Sequence, residues 1–478
     1  MKGLLKSFIQ FTLGNIMVLV LGLMITLISS RIISPYENGK YSMFVTVTSL
    51  ITLLSTIGMD QAYVRYNYLE DEEKRGVFLK RCLSFPILIN IILGICLLLL
   101  YKPVSKFIIG KYSFLLVVAI VLNSTFTIIF NFAVLYIRMK QKAIVYSIIN
   151  SLSKVFYLII MLISYIYLKD NYFTLIIAII LSNLIVAIVA ILLERKDWFY
   201  KIGDTKFKTS MGEMVKFGTP FIFSMSIIWV FQSIDKISLK TFSDYTQVGL
   251  YAGAINIVSL LNVIQSGFTA FWVPVAYEHY TKKPDDKEFF IFINEIVSFA
   301  MLLLSIILIG AKDLIIMLLG SSYREAVNIF PYLVFMPIMY TISETTVLGV
   351  NFAKKTRNHI YIAIISAITN IIGNLLLVPR FGAVGAAIST GIAYIIFFAS
   401  RTYYSNKFYK VNFKLKKFAI CIIAIYILAI YSTLNTFNIS VILLTLVVMA
   451  ILLLLYREVI YKIYTMIKNF MISYNREK

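Results

Sequence analysis

Acidic residues are scarce in this chain. Only 23 Asp and Glu stand against 45 Lys and Arg, and charged residues together make up 14%. Soluble domains carry about 25%, so a mainly soluble protein is excluded. Cysteine is scarcer still: Cys82, Cys96 and Cys421 lie in or beside apolar segments at unrelated spacings, which suggests neither a disulfide framework nor a zinc site. The two histidines, His279 and His359, are placed in loops and cannot build a histidine metal cluster. No glycine-rich run ending in Lys-Ser or Lys-Thr is present, so the chain is not expected to hydrolyse ATP itself. No catalytic set, metal site or cofactor site is read from these residues.

What the chain has in abundance is apolar sequence. Its hydrophobic share is 60% and its mean hydropathy is +0.86. A bilayer crossing takes about 20 apolar residues, and about fourteen continuous runs of that kind can be placed. They begin with 8–30, 41–63 and 80–101 and end with 384–403, 415–434 and 439–456. A barrel would instead show alternating strands of about 10 residues. The expected class is an all-α integral membrane protein. The first run is longer than a signal-peptide core and has no small-residue cleavage site after it, so it is read as a retained helix.

The net charge of +22 could point to nucleic acid. The position of the charges points elsewhere. With the N-terminus in the cytoplasm, Lys and Arg favour the inner loops by about three to one. The basic residues then serve as topology anchors beside anionic headgroups. Both termini are expected in the cytoplasm of a bacterial cell, and no nucleic-acid partner is expected. The longest loops, 64–79 and 194–213, are both assigned to the inside, and residues 204–213 are read as an amphipathic segment along the membrane surface.

The stretch 229–251 organises the rest. An apolar helix runs into Asp235 and Lys236, breaks, and resumes at Gly249, Leu250 and Tyr251. The opening of the chain repeats this, with Arg31 at a helix end and Gly39, Lys40 and Tyr41 at the next start. Aligning Gly39 with Gly249 gives an offset of 210 positions. The reading is two six-helix lobes, 1–200 and 201–410, related by a parallel repeat about the membrane normal. Residues 411–478 add two accessory helices and a basic tail.

Ionisable residues at membrane depth are costly and usually face a cavity or a partner. Lys154 lies about ten residues, or roughly 15 Å, into its helix. It either snorkels to the interface or faces a cavity as a cation. Asp235 and Lys236 close one span, and Arg31 sits at the same depth in the repeat; each is a transport residue or an interfacial charge. Asp60 and Arg65 form an interfacial pair or a site. Glu344 is an ion-coupling carboxylate or a structural acid bonded to Ser343 or Thr345. Arg380 is a cavity cation or an anchor, and Glu295 is a weaker acid. Pro220, Pro274, Pro331 and Pro337 interrupt apolar helices, where proline can bend the chain. The run Gly382, Ala383, Gly385, Ala386 and Ala387 reads as small residues that let helices pack closely.

Four motifs carry a family resemblance. The run 30–41 resembles the first-loop signature of Wzx-type polysaccharide flippases, within the multidrug/oligosaccharidyl-lipid/polysaccharide exporter superfamily. Asp235 and Lys236 followed by Val248, Gly249, Leu250 and Tyr251 resemble the second-half signature. Leu319, Gly320, Ser321, Ser322 and Tyr323 are similar to a later loop, and 378–387 to another. The resemblance implies two lobes in a V around a central cavity. It also implies ion-coupled alternating access and a cargo of undecaprenyl-pyrophosphate-linked oligosaccharide, for O-antigen or capsule synthesis. Polymerase and chain-length proteins of the same pathway become expected partners. An anionic cargo fits buried cations, for which Arg31, Lys154, Lys236, Arg65 and Arg380 are the candidates. Glu344, Asp60 and Asp235 are the candidates for ion coupling. Lipid II flippases and multidrug exporters share the fold class; many of the latter carry an acid within the first helix, where this chain has Asn15.

Overall fold

The computed structural model describes residues 2–199 and 207–462, with 464, 465 and 468, and side chains from residue 16 onward. Among the described residues there is no strand. Among the same residues, eight helices are long and apolar enough to cross a membrane, or up to eleven when each bent pair is taken as one span. That criterion stops short of fourteen for two physical reasons. Ile439–Leu455, at 17 residues, is short of a full crossing, and the 50-residue helix Arg357–Asn406 holds two expected spans joined through a kink at Gly382.

The chain divides into two compact units between Ala252 and Gly253. The first holds α1 (Lys2–Ile32), α2 (Pro35–Thr56), α3 (Met59–Tyr66), α4 (Arg75–Leu99), α5 (Tyr101–Ile109) and α6 (Phe114–Met139). It continues with α7 (Ala143–Leu168), α8 (Tyr172–Leu193), α9 (Arg195–Phe199), α10 (Met211–Phe242) and the start of α11 (Tyr245–Val258). The second takes the end of α11, then α12 (Leu261–Lys282), α13 (Lys287–Gly310), α14 (Lys312–Ile316), α15 (Phe330–Leu333) and α16 (Phe335–Thr346). α17 (Leu348–Phe352), α18 (Arg357–Asn406), α19 (Leu415–Leu434) and α20 (Ile439–Leu455) complete it.

The helices are sorted inside out, as lipid requires. On α4, Leu88, Ile91, Ile92, Ile95 and Leu99 are exposed, while Asn90 is buried. Asn90 accepts from Ser55 Oγ at 3.2 Å and donates to Thr125 Oγ1 at 2.7 Å, so one amide ties α2, α4 and α6. In the second unit Asn370, Asn374 and Ser389 do the same along α18, where Ser389 Oγ donates to Asn370 Oδ1 at 2.8 Å. Polar side chains act as glue where no water can compete.

The motif 30–41 is a helix start in every detail. Ser34 caps α2, Pro35 follows at its first turn, and Glu37 lies in that turn. Proline suits this position because its missing N–H would be unpaired there anyway. Asp170 Oδ1 accepts from the Ser34 backbone N–H at 2.8 Å, Glu37 Oε2 accepts from the Tyr172 N–H at 2.9 Å, and Lys40 Nζ meets Glu37 Oε1 at 2.6 Å. The repeat partners then touch reciprocally. A methyl group on Gly39 would run into the Tyr245 carbonyl, and one on Gly249 into the Pro35 carbonyl. Pro35 and Tyr245 share the same 210-position offset, so the crossing of α2 and α11 is its own mirror, the mark of a two-fold contact.

The opposite end of α2 breaks at Ile57 and Gly58, both at positive φ, and α3 leaves at 47°. Here Gly58 and Gly218 of α10 leave no room for a Cβ on either backbone. The chain into α10 is pinned nearby. Buried Glu70 accepts from the backbone N–H groups of Lys208 and Thr209 at 3.1 and 3.0 Å. Ser210 and Glu213 form a reciprocal capping box. Hydrogen bonds and charge from Lys208 and Lys74 bring the Asp71 carboxyl down to about 2, so this ion pairing persists on acidification until pH falls through that value.

Three expectations change. The surface segment 204–213 lies outside the described residues up to 206; beyond that, 207–210 are tied to the acidic loop and 211–213 already belong to α10. The histidines are helical rather than in loops: His279 lies in α12 and pairs with Asp286 at 2.9 Å, and His359 lies in α18 beside Asn351 at 2.8 Å. Pro331 and Pro337 sit at the starts of α15 and α16, Pro331 just after the 58° bend that separates 321–328 from 330–346, whereas Pro220 and Pro274 are inside helices. The small residues Ala383, Gly385, Ala386 and Ala387 are buried, and a Cβ on Gly385 would meet the Leu377 carbonyl.

Gly39→Ala and Gly249→Ala should each lower the detergent-solubilised melting temperature by several degrees, on the scale of overpacking at about 1–3 kcal/mol. Gly22→Ala, with open space around its Cα, should leave it within error. Equal melting temperatures for all three would show that the crossing does not hold the first unit together.

Candidate functional site

The first unit contains a cavity of about 460 Å³ bounded by α2, α3, α6, α7 and α10. Its wall is polar for a membrane helix bundle: Thr52, Asp60, Gln61, Asn131, Arg138 and Asn150 all line it. The break at Ile57 and Gly58 delivers Asp60 and Gln61 here, because a straight α2 would carry them past. Gln61 Nε2 donates to Asp60 Oδ2 at 2.7 Å. Among the described residues neither Asp60 nor Arg138 has an ion-pair partner. A carboxylate, a guanidinium and two carboxamides around one space can bind a cation, an anion or hydroxyl groups.

Lys154 does not line the cavity and is exposed, although it lies on the same face of α7. Tyr146 and Asn150 line the cavity, and Lys154 follows at the next i+4 position of α7. Its ammonium makes no hydrogen bond or ion pair among the described residues. One turn on, Tyr157 Oη donates to Tyr41 Oη at 3.2 Å, closing the stripe against α2.

The other nominated residues scatter. Asp235 is buried and accepts from the Tyr251 hydroxyl at 2.6 Å, so it ties α10 to α11. Lys236 beside it is half-buried. Arg31 is exposed, with Nη1 donating to the Leu27 carbonyl at 3.3 Å. Arg65 and Arg380 are exposed, and Arg65 makes no ion pair with Asp60. Glu295 is buried and held by Lys417 and by Lys414, the latter at 3.2 Å.

Glu344 carries a partner that the sequence reading missed. Arg401 Nη1 donates to Glu344 Oε1 at 2.7 Å and to Ser343 Oγ at 2.7 Å. Its guanidinium lies over Tyr340 and Phe397, at 5.1 and 5.0 Å from the ring centres. The indole N–H of Trp272 donates to the Glu344 carbonyl at 3.2 Å. One signal was available: Arg401 and Glu344 are opposite charges within two apolar spans, and buried charges are paired. Asn150, Gln61 and Arg138 were also missed, because amides and a helix-end arginine look ordinary in a sequence.

A multi-pass membrane protein, all-helical among the described residues, with a polar cavity among the helices of its first unit, is the class these features define. The chain belongs to the polysaccharide biosynthesis protein family, whose match covers residues 4–278. Its fold resembles that of a lipid II flippase MurJ in the inward closed conformation, with a TM-score of 0.68, 16% identity, and 96% of this chain and 99% of that chain covered. It also resembles a multidrug resistance MATE family transporter of the MOP superfamily. The inward-facing form gives a TM-score of 0.54 at 13% identity over 83% of this chain and 94% of that chain. The outward-facing form gives 0.51 at 13% identity over 84% and 95%. No curated protein matches the chain.

Removing one partner of a buried ion pair typically costs about 3–5 kcal/mol. Glu344→Ala and Arg401→Ala should therefore each sharply reduce the folded yield of the full-length protein. The double variant Glu344→Gln with Arg401→Met should recover most of it. Additive losses in that cycle would mean that the pair is not coupled.

Proposed function

We propose that this protein is a flippase that carries lipid-linked oligosaccharide repeat units, built on undecaprenyl pyrophosphate, from the cytoplasmic to the outer leaflet of a bacterial cytoplasmic membrane. The family match over 4–278 is the observation that carries the reading. The MurJ-like fold over nearly the whole chain supports it. Translocation makes and breaks no covalent bond, which agrees with the absence of a catalytic set in the sequence. The cargo's pyrophosphate needs cations that are not already neutralised. Lys154 meets that need, and Lys236, Arg31, Arg65 and Arg380 are the further cations assigned to the path.

Alternating access driven by an ion gradient needs a carboxylate that can gain and lose a cation or proton. Asp60 suits this better than Glu344. Protonating Glu344 would leave Arg401 charged and unpaired in the second unit, whereas Asp60 has only a neutral amide beside it. Asp235 is occupied by a tyrosine hydroxyl. The Lys and Arg bias puts the Asp60 end of the cavity on the cytoplasmic side, where cargo is loaded. Polymerase and chain-length proteins are the proposed partners downstream, and O-antigen or capsule the proposed product.

In a strain that depends on this gene for surface polymer, Lys154→Ala and Asp60→Asn should each cut surface polymer by at least about tenfold. That is the scale of losing one charge-assisted contact. Lipid-linked units should accumulate on the inner leaflet, and Lys154→Arg should retain most activity. Wild-type polymer with both changes would overturn the mechanism. Trapped peptidoglycan precursor would mark a lipid II flippase, and altered drug resistance with unchanged polymer would mark a drug exporter.

A further inference from the structure

The segment 100–113 breaks the charge pattern of the chain. It holds Lys102, Lys106 and Lys111 and no acid. In the orientation set by the Lys and Arg bias it follows the outer end of α4, on the side that the bias leaves poor in lysine. A cluster placed against that bias calls for a local reason. α5 covers most of the segment, and all of it belongs to the first unit.

α5 is held in a fixed attitude. Ser105, Ile108 and Ile109 are buried, and the helix packs on α2 and α6. Ser105 Oγ donates to the Tyr101 carbonyl at 2.6 Å and accepts from the Ser113 backbone N–H at 3.0 Å, which joins the helix to the cap of α6. Gly110, at φ 76°, makes the turn between them. The open face of α5 carries two strips side by side. Lys102 and Lys106 stand one turn apart and are exposed; Pro103 and Phe107, also one turn apart, are exposed beside them. A fourth lysine arrives from the last turn of α10, where the Lys240 ammonium lies 4.5 Å from the Phe107 ring centre.

None of these four lysines has an ion-pair partner among the described residues. The acids at this end of the unit are engaged elsewhere: Glu37 with Lys40, Asp170 with the start of α2, and Asp244 with the Gln247 N–H. The patch is therefore positive. Around it Leu99, Leu100, Tyr112, Phe114 and Leu115 are exposed. Charge and apolar surface together narrow the partner. A soluble acidic protein would match the lysines and leave the leucines and rings uncovered. A phospholipid carries its phosphate directly above its acyl chains and matches both. α5 does not border the cavity that holds Asp60, so the partner is a resident of the bilayer rather than a passenger through the protein.

We propose that α5 and the last turn of α10 form a binding site for an anionic phospholipid of the outer leaflet, with its headgroup among Lys102, Lys106, Lys111 and Lys240 and its acyl chains along the exposed apolar side chains next to them. The bound lipid ties the end of α10 to α5, and through α5 to α2 and α6, and so favours this arrangement of the first unit. The site is independent of what the protein translocates.

The test uses the full-length protein in a neutral detergent, with phosphatidylglycerol or phosphatidylcholine added and bound lipid read by native mass spectrometry. Wild-type protein should hold phosphatidylglycerol at least about fivefold more tightly than phosphatidylcholine. Lys106→Gln and Lys240→Gln should each weaken phosphatidylglycerol binding by about fivefold, the scale of one lysine beside an anionic surface. Lys106 is fully on the surface, so its variant carries the reading if Lys240→Gln does not fold. Lys355→Gln, which removes an exposed lysine of the second unit, should leave binding unchanged. No preference between the two lipids, or an equal loss with Lys355→Gln, overturns the proposal. A soluble acidic peptide that binds without lipid as tightly as phosphatidylglycerol would make the patch a protein-docking surface and overturns it as well. In spheroplasts, Lys111→Cys in a Cys96→Ser background should react with a membrane-impermeant maleimide; reaction only after permeabilisation puts the patch on the inner face and overturns the outer-leaflet assignment.

Discussion

In hydrocarbon there is no water to satisfy a polar group, and each one left over costs several kcal/mol. That constraint sets both what this fold hides and what it exposes. Leucine and isoleucine cover the outside, and the interior is held by Asn90, Asn183, Asn370, Asn374 and their hydroxyl partners. A soluble protein would use these positions for a greasy core. Here an amide between helices is the specific contact, because apolar packing alone cannot tell one helix neighbour from another when lipid is equally apolar. The same rule gives Asp60, Arg138 and Lys154 their meaning. They are ionisable groups with no ion-pair partner among the described residues, whereas the buried Glu344 and Glu295 of the second unit are matched.

Close backbone approach is the second organising feature. Gly39 against Tyr245, and Gly249 against Pro35, put two helix starts in contact where no side chain fits. Gly58 and Gly218 do so at the far end of α2. Between these two crossings α2 is fixed along α10, and Trp229 Nε1 donates to Ser49 Oγ at 3.0 Å midway. Ser49 and Thr52 therefore face the cavity with Asp60 on a helix whose register is locked at both ends. A site built this way holds its geometry without relying on the loops.

The pairing of Gly39 with Gly249 was legible because glycine leaves a trace. A position that admits no Cβ admits only glycine, so Gly39 and Gly249 survive at matching places and the 210-position offset can be read directly. The helical runs were legible because a bilayer demands long apolar segments. What stayed hidden has a common cause. Arg401 meets Glu344 across 57 positions, and Lys140 meets Glu194 across 54; partner choice over such distances depends on helix rotation, which hydropathy does not report. The break at Ile57 was equally invisible, since the run 41–63 continues through it without losing apolarity. Loop 64–79 hid the first turn of α4 for the opposite reason: its polar residues look like a connection, although Phe78 stacks on Tyr63 at 5.9 Å within a buried cluster.

Two carboxylates can be compared as partners for a moving charge, and the comparison turns on what each leaves behind. Glu344 and Arg401 neutralise one another with Ser343, Tyr340 and Phe397 around them, so either change of charge at Glu344 strands its partner. Such a pair favours one arrangement of α16 against α18 and resists leaving it. Asp60 stands in a cavity beside Gln61, on a short helix set off by two left-handed residues, with the Arg138 cation along the wall rather than in contact and the exposed Lys154 one turn beyond the lining on α7. Under the proposed function, a cation or proton arriving at Asp60 would change the field felt by a pyrophosphate held near those groups, without breaking an ion pair first. Coupling placed there needs only that cargo and ion compete for one polar space, the smallest set of parts from which an exchange of one for the other can be built.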